Sequence, residues 1–270
     1  MITAIEETKA SNDVLPCTAS CTMQVRAVKT HRISPDESLE AILDKYLPQL
    51  SERSVVVITS KIVSLCQNRV IAKDRVPDKK ALVQQEADAY LDEYESHQRY
   101  GIYLTLKNKI LIPTAGIDES NADDSYILYP EHIPETVNQI WYYLRGRDGL
   151  TELGVVLSDS HTTPLRRGVT GIGLGWCGFF PLHNYIGQPD LFNKPLRVSI
   201  SNLLDGIASA AVLVMGEGNE QTPLCVMEGF PKMQFQDRPP TTEELAMITI
   251  EPSQDIYEPI LRHCQWVYKK

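Results

Sequence analysis

Apolar positions change their period along this chain, and the changes mark its elements. Residues 23–29 alternate apolar and polar as a half-buried strand does. Ser34, Pro35 and Glu37 read as an N-cap, a first-turn proline and a capping-box acid. They predict a helix from there to about Tyr46, with Leu39, Ile42, Leu43 and Tyr46 on its buried face and Pro48 discouraging continuation. Residues 54–59 form a buried-strand run, which residues 61–64 are expected to carry on toward a further strand at 69–72. From 79 to 95 the pattern is that of a polar-rich amphipathic helix, burying Ala81, Leu82, Ala87, Tyr90, Leu91 and Tyr94. Two short apolar runs, 103–106 and 110–112, predict a hairpin that delivers Asp118 and Asn121 into the following loop. Helices are expected at 134–144 and 203–215, and strands at 154–158 and 223–227. Residues 216–220 break the second helix sharply. The segment 232–270 reads as peripheral, with short helices from Thr242 and around 256–264.

Composition narrows the class. The 270 residues are 43% hydrophobic and 23% charged, without a low-complexity block, as expected of a globular protein with a sizeable core. A net charge of -9 disfavours nonspecific nucleic-acid binding. No apolar run reaches the roughly 18 residues of a membrane span, and the N-terminus lacks a signal-peptide pattern, so a cytoplasmic protein is expected. The six cysteines Cys17, Cys21, Cys66, Cys177, Cys225 and Cys264 form neither a Cys-x-x-Cys pair nor a Cys/His cluster, and most read as buried thiols. We expect a flexible tail over 1–21, a main domain over 22–230, and a C-terminal extension over 231–270 packed on it.

Candidate chemistry begins at Asp159 and Ser160, an acid and a hydroxyl that abruptly end the apolar run at 154–158, with Arg166, Arg167 and Gly168 behind them. Such oxygen ligands suit a hard divalent cation, and guanidiniums suit the phosphates that such ions accompany. The run ending in Asp118, Glu119, Ser120 and Asn121 closes in the same way. Each acid has a plainer reading as a turn former, a helix cap or a solvated loop charge. Gly173, Gly175 and Gly178 match G-x-G-x-x-G, but Phe179, Phe180 and Pro181 follow without a helical period. Close backbone packing is therefore expected there, not a dinucleotide site. Neither a Walker A sequence nor a nucleophile elbow is present, and Ser160-His161 does not read as a hydrolase pair.

Six motifs in order carry a family resemblance: Ser60-Lys-Ile-Val-Ser64, Ala115-Gly-Ile-Asp-Glu-Ser-Asn121, Leu157-Ser-Asp-Ser160, Arg166-Arg-Gly168, Gly187-Gln-Pro-Asp190 and Met215-Gly-Glu-Gly218. Over about residues 25–229 the chain resembles the coenzyme F-420 gamma-glutamyl ligase family. The resemblance implies an α+β fold of mixed and antiparallel sheets with packed helices in two intertwined subdomains, and a homodimer. It implies an amide ligase that joins glutamate or another amino acid to a small carboxylate through an acyl phosphate, with GTP as co-substrate, magnesium or manganese, and a monovalent cation as a further possibility. Carried over by position, Asp118, Asp159, Ser160 and Glu217 are the metal set, with Ser160 where threonine is usual. Thr30, His31, Arg32, Ile33, Ser60, Lys61, Asn121, Met215, Gly216, Gly218, Asn219, Glu220 and Thr222 are placed like nucleotide contacts, and Arg166 and Arg167 like substrate or phosphate ligands in catalysis.

Three departures stand out. Leu65, Cys66, Gln67 and Asn68 replace a usual Lys-Ala-Glu-Gly, removing a cation, a carboxylate and a glycine. Lys61 is a substitute for that cation only if it faces the same way, which an extended strand does not require. His161 to Leu165 replaces a usual turn containing glycine and arginine, and Thr30 to Ile33 lacks the usual glycine and proline. The alternative to a ligase is therefore a catalytically lapsed homologue that binds a phosphorylated metabolite or a protein partner.

Overall fold

The computed structural model describes residues 22–92, 101–230 and 233–269. The expected tail, with Cys17 and Cys21, and the last residues of the helix expected to Glu95 lie outside the described residues.

The main sheet has the order β1-β12-β2-β8-β9, built from β1 (Gln24–Val28), β2 (Ser54–Thr59), β8 (Leu153–His161), β9 (Thr170–Cys177) and β12 (Leu224–Glu228). Its pairings are antiparallel except β2 with β8, which run parallel. Side-chain alternation sorts its apolar residues into two cores. Val56, Ile58, Val155, Leu157, Leu224 and Val226 join one cluster, whereas Val55, Val57, Val156, Cys225 and Met227 join the other. Burial on both faces explains why β2 reads as a continuous apolar run and not as an alternating one. The first face is covered by α1 (Leu39–Tyr46) and by α4 (Ile133–Asp148), whose Trp141 is fully buried with its indole nitrogen donating to Leu153 O at 2.7 Å. The second is covered by α5 (Leu203–Met215), where the Asn202 side chain accepts from Asp205 N and Gly216, at φ 78, ends the helix.

A second sheet has the order β13-β4-β5-β6, with β4 (Ala89–Leu91), β5 (Leu104–Lys107), β6 (Ile110–Pro113) and β13 (Trp266–Tyr268). Asn108 and Lys109 turn the expected hairpin with φ of 49 and 62. Strands β3 (Val70–Ala72) and β7 (Ser125–Ile127) pair separately, as do β10 (Leu182–Asn184) and β11 (Ile200–Asn202). The C-terminal segment adds α6 (Thr242–Met247), with a complete capping box at Thr241, and α7 (Glu258–Leu261), both near their expected places. The fold is thus α+β with mixed and antiparallel sheets.

Three local expectations are corrected. The first helix starts four residues late, capped by Ser38 instead of Ser34. Asp36 at φ 64 breaks any helix begun at Ser34, although Glu37 still accepts from Ser34 N at 2.5 Å. Residues 61–64 are not extended: α2 (Ser60–Cys66) follows β2 directly, because a short apolar run does not distinguish strand from buried helix. The helix from residue 79 is α3 (Lys79–Glu86) only, and β4 follows, held by β5 on one side and β13 on the other. The glycine series behaves as packing. A Cβ on Gly171 would overlap the backbone of Ala208, and one on Gly178 would overlap Leu153 O and the Trp141 indole nitrogen. The apolar stretch 172–182 belongs largely to the core, with Trp176, Cys177 and Phe179 buried.

Candidate active site

Four of the expected site segments meet at one end of the main sheet for topological reasons. Because β2 and β8 are parallel with Thr59 opposite Ser158, their C-terminal ends place Ser60 and Asp159 side by side. The Ser60 hydroxyl hydrogen-bonds the Asp159 carboxylate. Strand β12 is antiparallel to both β2 and β1, so the loop that precedes it (216–223) and the segment that follows β1 arrive at the same end. Thr30 N donates to Gln221 O at 2.8 Å, and Thr59 N to Pro223 O at 3.0 Å. The β8–β9 register shifts between Leu157 and Ser158, just before Asp159, leaving Leu174 of β9 as the extra residue of a bulge. The fifth segment comes from outside the sheet. After β6, left-handed Thr114 and Ala115 turn the chain so that Asp118 exchanges two backbone hydrogen bonds with Ile127, both at 2.9 Å.

These segments line a cleft of about 810 Å3. Every residue expected at the metal or nucleotide positions lines it: Thr30 to Ile33, Ser60, Lys61, Asp118, Asn121, Asp159, Ser160, Met215 to Glu220, and Thr222. Arg166 and Arg167 do not. They sit exposed on the turn after β8, between Leu165 at φ 61 and Gly168 at φ 92.

Charge is unevenly compensated. Lys61 Nζ lies 2.6 Å from Asp118 Oδ2 and donates to Ser120 Oγ at 2.9 Å, while Ser120 N and Oγ both donate to Asp118 Oδ1. Burial alone would raise the Asp118 carboxyl, but Lys61 and the Ser120 hydrogen bonds outweigh it and hold the group below its ordinary range. Asp159 goes the other way. Burial pushes its carboxyl up to about 6, and the charges of Asp118 and Glu217 add to the rise against the hydrogen bonds from Ser160 N and Ser60. Glu217 is raised as well, chiefly by desolvation, although the Ser160 hydroxyl bonds it.

Three carboxylates and a hydroxyl around one ammonium make a donor set chemically suited to a hard divalent cation. No three His, Cys, Asp or Glu side chains among the described residues form a closed metal cage as they stand. The positive charge that Asp118 and Glu217 share is Lys61 itself. Asp118 is also the turn former of the plainer reading, since its carboxylate organises Ser120.

The nucleotide-type segments are braced against one another. Asn121 Nδ2 donates to Gly218 O at 3.1 Å, joining the loop after β6 to the loop after α5. Glu220 folds back to accept from Gly218 N at 2.8 Å, and Thr222 Oγ1 donates to Met215 O at 2.5 Å. His31 is held from both sides, by Tyr46 OH at Nδ1 (2.6 Å) and by Glu37 at Nε2 (2.8 Å). Arg32 reaches across to Asp123 at 3.1 Å.

Sequence reasoning missed Lys79, Glu119 and Asp123, which also line the cleft. Lys79 and Lys73 both pair with Glu119. Glu119 lay inside a quoted motif, but nothing local to Lys79 signals its place.

The departures at 65–68 are less disruptive than expected. In α2, positions 61 and 65 are one turn apart on one face, and both Lys61 and Leu65 line the cleft. Lys61 therefore does face the way position 65 faces. Asn68 stands at φ 53, a conformation asparagine tolerates better than most residues. Gln67 donates to Glu131 O and accepts from Glu131 N, a bracing role after α2. Of the four replacements, Leu65 alone changes the cleft.

Residues 27–229 match the family model described as F420-0:Gamma-glutamyl ligase. The chain is similar to the coenzyme F420:L-glutamate ligase of Methanopyrus kandleri, 29% identical over 251 residues, which are 87% of this chain and 98% of the relative. It is 32% identical over 212 residues to the enzyme of that name from Methanosarcina barkeri, covering 73% of this chain and 82% of the relative. The counterpart from Halorubrum lacusprofundi is 30% identical over 213 residues, 72% and 82% of the two chains. Together with a cleft assembled from the family's motifs, these matches show that the chain belongs to the F420-0:gamma-glutamyl ligase family of amide-forming ligases.

Proposed function

We propose that this protein joins the amino group of glutamate, or of a similar amino acid, to the carboxylate of a small acceptor at the expense of a nucleoside triphosphate. GTP is the triphosphate that the resemblance implies. The observation that carries the reading is the convergence of Asp118, Asp159, Ser160 and Glu217 with the loops of Thr30 to Ile33 and Met215 to Thr222 in one cleft.

An acceptor carboxylate oxygen attacks the γ-phosphorus, the bond to the β-phosphate oxygen breaks, and nucleoside diphosphate departs. The amino-acid nitrogen, having lost a proton, then attacks the acyl carbon, and phosphate leaves as the amide forms. A poor oxide leaving group has become a good one. Such transfer demands positioning and charge compensation more than covalent work by the protein. Asp118, Asp159, Glu217 and the Ser160 hydroxyl would hold a divalent cation, magnesium or manganese, which supplies charge neutralisation on the transferring phosphoryl group. Lys61, which pairs with Asp118 in the absence of metal, would be free to meet phosphate oxygens once that carboxylate held the cation. Asn121, braced on Gly218, and the hydroxyls of Thr30 and Thr222 offer donors and acceptors to the nucleoside. Residues 22–230 act as the catalytic domain, with 231–270 as an extension packed on it.

A homodimer in the cytoplasm belongs to the same reading. The connection between β10 and β11, where Leu191 is 97% and Phe192 81% exposed, supports a subunit contact.

The test is metal-dependent GTP binding by calorimetry, followed by phosphate release with glutamate and a panel of carboxylic acids. Binding in magnesium that is lost in EDTA, and phosphate release dependent on one class of acid, are expected. A folded protein showing neither would defeat the ligase reading. Leu65 favours the second reading, a lapsed homologue that binds without turnover, and that reading predicts GTP or phosphometabolite binding with no acid-dependent phosphate release.

A further inference from the structure

We propose that the ion pair of Lys79 with Glu119 is the seat of the amino-acid co-substrate, Glu119 taking its α-ammonium group and Lys79 its α-carboxylate. The inference rests on the ligase reading above and gives one of its substrates a site within the same cleft.

Glu119 follows Asp118 directly, and both line the cleft. Asp118 is turned to Lys61 and Ser120, whereas Glu119 reaches two lysines of the segment 73–79. Its Oε2 lies 3.0 Å from Lys73 Nζ, and its Oε1 pairs with Lys79 Nζ. The two lysines are not equivalent. Lys79 lines the cleft and Lys73 does not. Lys73 Nζ stands 5.3 Å from the centre of the Tyr126 ring, and its backbone N donates to Asp124 O at 3.0 Å. Lys73 thus holds Glu119 from outside and leaves the Oε1 side to the cleft.

Lys79 occupies an unfavourable place in its helix. It is the first residue of α3, Lys80 follows it, and the first turn carries no acid. The positive end of a helix dipole repels a cation there, so an anion beside Lys79 is favoured. Glu119 supplies one in the free protein. The side chains of Lys79 and Glu119 are 28% and 35% exposed, and partly solvated pairs of this kind add little to the stability of a fold. Exchanging this pair for two pairs with a ligand therefore costs little.

An α-amino acid brings both charges at once, because its carboxylate hangs from the same carbon as its nitrogen. An ammonium group on Glu119 Oε1 leaves that carboxylate beside Lys79. Lys73, Glu119 and Lys79, two cations and one anion, also leave one positive charge over, which the side-chain carboxylate of an acidic amino acid neutralises. Held by its head in this way, the amino acid keeps its nitrogen in the loop of Asp118.

The test uses the whole protein with magnesium and a non-hydrolysable GTP analogue, into which L-glutamate and its α-amide are titrated by calorimetry. L-glutamate should bind about tenfold or more tighter than the α-amide, the loss expected for a charge-assisted contact. Lys79→Met should weaken L-glutamate about tenfold and bring the two ligands level, while affinity for the GTP analogue is unchanged. Lys73→Met should weaken both ligands and leave their ratio standing, because it acts through Glu119. Lys80→Met removes the same charge from the same helix turn, where Lys80 pairs with Asp92 at 2.7 Å, and should change neither ligand. Equal binding of the two ligands by the wild type overturns the inference, and so does a ratio that survives Lys79→Met or collapses equally in Lys80→Met. No binding of L-glutamate to a protein that binds the GTP analogue overturns it too, and the ligase reading then stands or falls on acid-dependent phosphate release. Failure to bind the analogue in magnesium sinks the ligase reading, and the inference with it.

Discussion

Replacing Asp159 by asparagine should make the metal-free protein more stable at neutral pH while abolishing turnover. Burial pushes the Asp159 carboxyl up to about 6 in the folded protein, against an ordinary value of 3.8, and Asp118 and Glu217 add to the rise. The folded state therefore binds the proton more tightly than the unfolded chain. Stability linked to this group is fully present below about pH 4 and is lost as pH rises toward and through about 6. At roughly 1.36 kcal/mol per unit of pH, the loss amounts to about 3 kcal/mol once the group is ionised in both states. Asparagine keeps an oxygen that can accept from Ser160 N, as Asp159 Oδ1 does at 2.7 Å, and carries no charge. In EDTA at pH 8 the variant should melt roughly 6 °C or more above the wild type, given roughly 2–4 °C per kcal/mol for a chain near this size. At pH 4 the two should melt together. Urea denaturation across pH 4–8 measures the same quantity at fixed temperature. Magnesium with GTP should then raise the wild type and leave the variant nearly unmoved, because only the wild type retains the carboxylate. A variant no more stable than wild type at pH 8 in EDTA would refute the claim that this carboxylate is held at an electrostatic cost.

Other perturbations probe different parts of the argument. Lys61→Met should lower kcat/KM at least about 100-fold, in keeping with loss of a charge-assisted contact in a cleft. Leu65→Lys on that background should recover part of it, because α2 presents both positions on one face; no recovery in steady-state kinetics would remove Lys61 as the phosphate-side cation. Gly178→Ala should cost more than about 3 kcal/mol, or prevent soluble expression, since its φ of 85 and its contacts with Leu153 O and the Trp141 indole nitrogen leave no room for a methyl group. A variant with wild-type urea midpoint would contradict that packing.

Much of the fold was legible in the chain. The helix Leu203–Met215 is bounded as its sequence says, because Asn202 caps it and Gly216 stops it, both local interactions. The hairpin about Asn108 and Lys109 is equally local, as is the capping box at Thr241. Where sequence reasoning failed, long-range contacts had decided. Residues 60–66 are apolar enough for a strand or a helix, and they form α2, whose Ile62 and Val63 are buried in the core on the first face of the sheet. Residues 89–91 follow a helical pattern yet are taken into a sheet by partners in β5 and β13, the latter more than 170 residues on.

The site divides along the same line. By itself the sequence determined which residues could act: acids and hydroxyls at the ends of apolar runs, and glycines where a helix stops. Only the tertiary structure decided which of them act together. Parallel pairing of β2 with β8 sets Ser60 beside Asp159, antiparallel β12 and β1 return their loops to that end, and the turn after β6 brings in Asp118. The same geometry swung Lys61 onto the face of Leu65 and left Arg166 and Arg167 outside. Charge interacts through space over a few ångströms, so a carboxylate's partners are fixed by which strand ends converge and not by what precedes it in the chain.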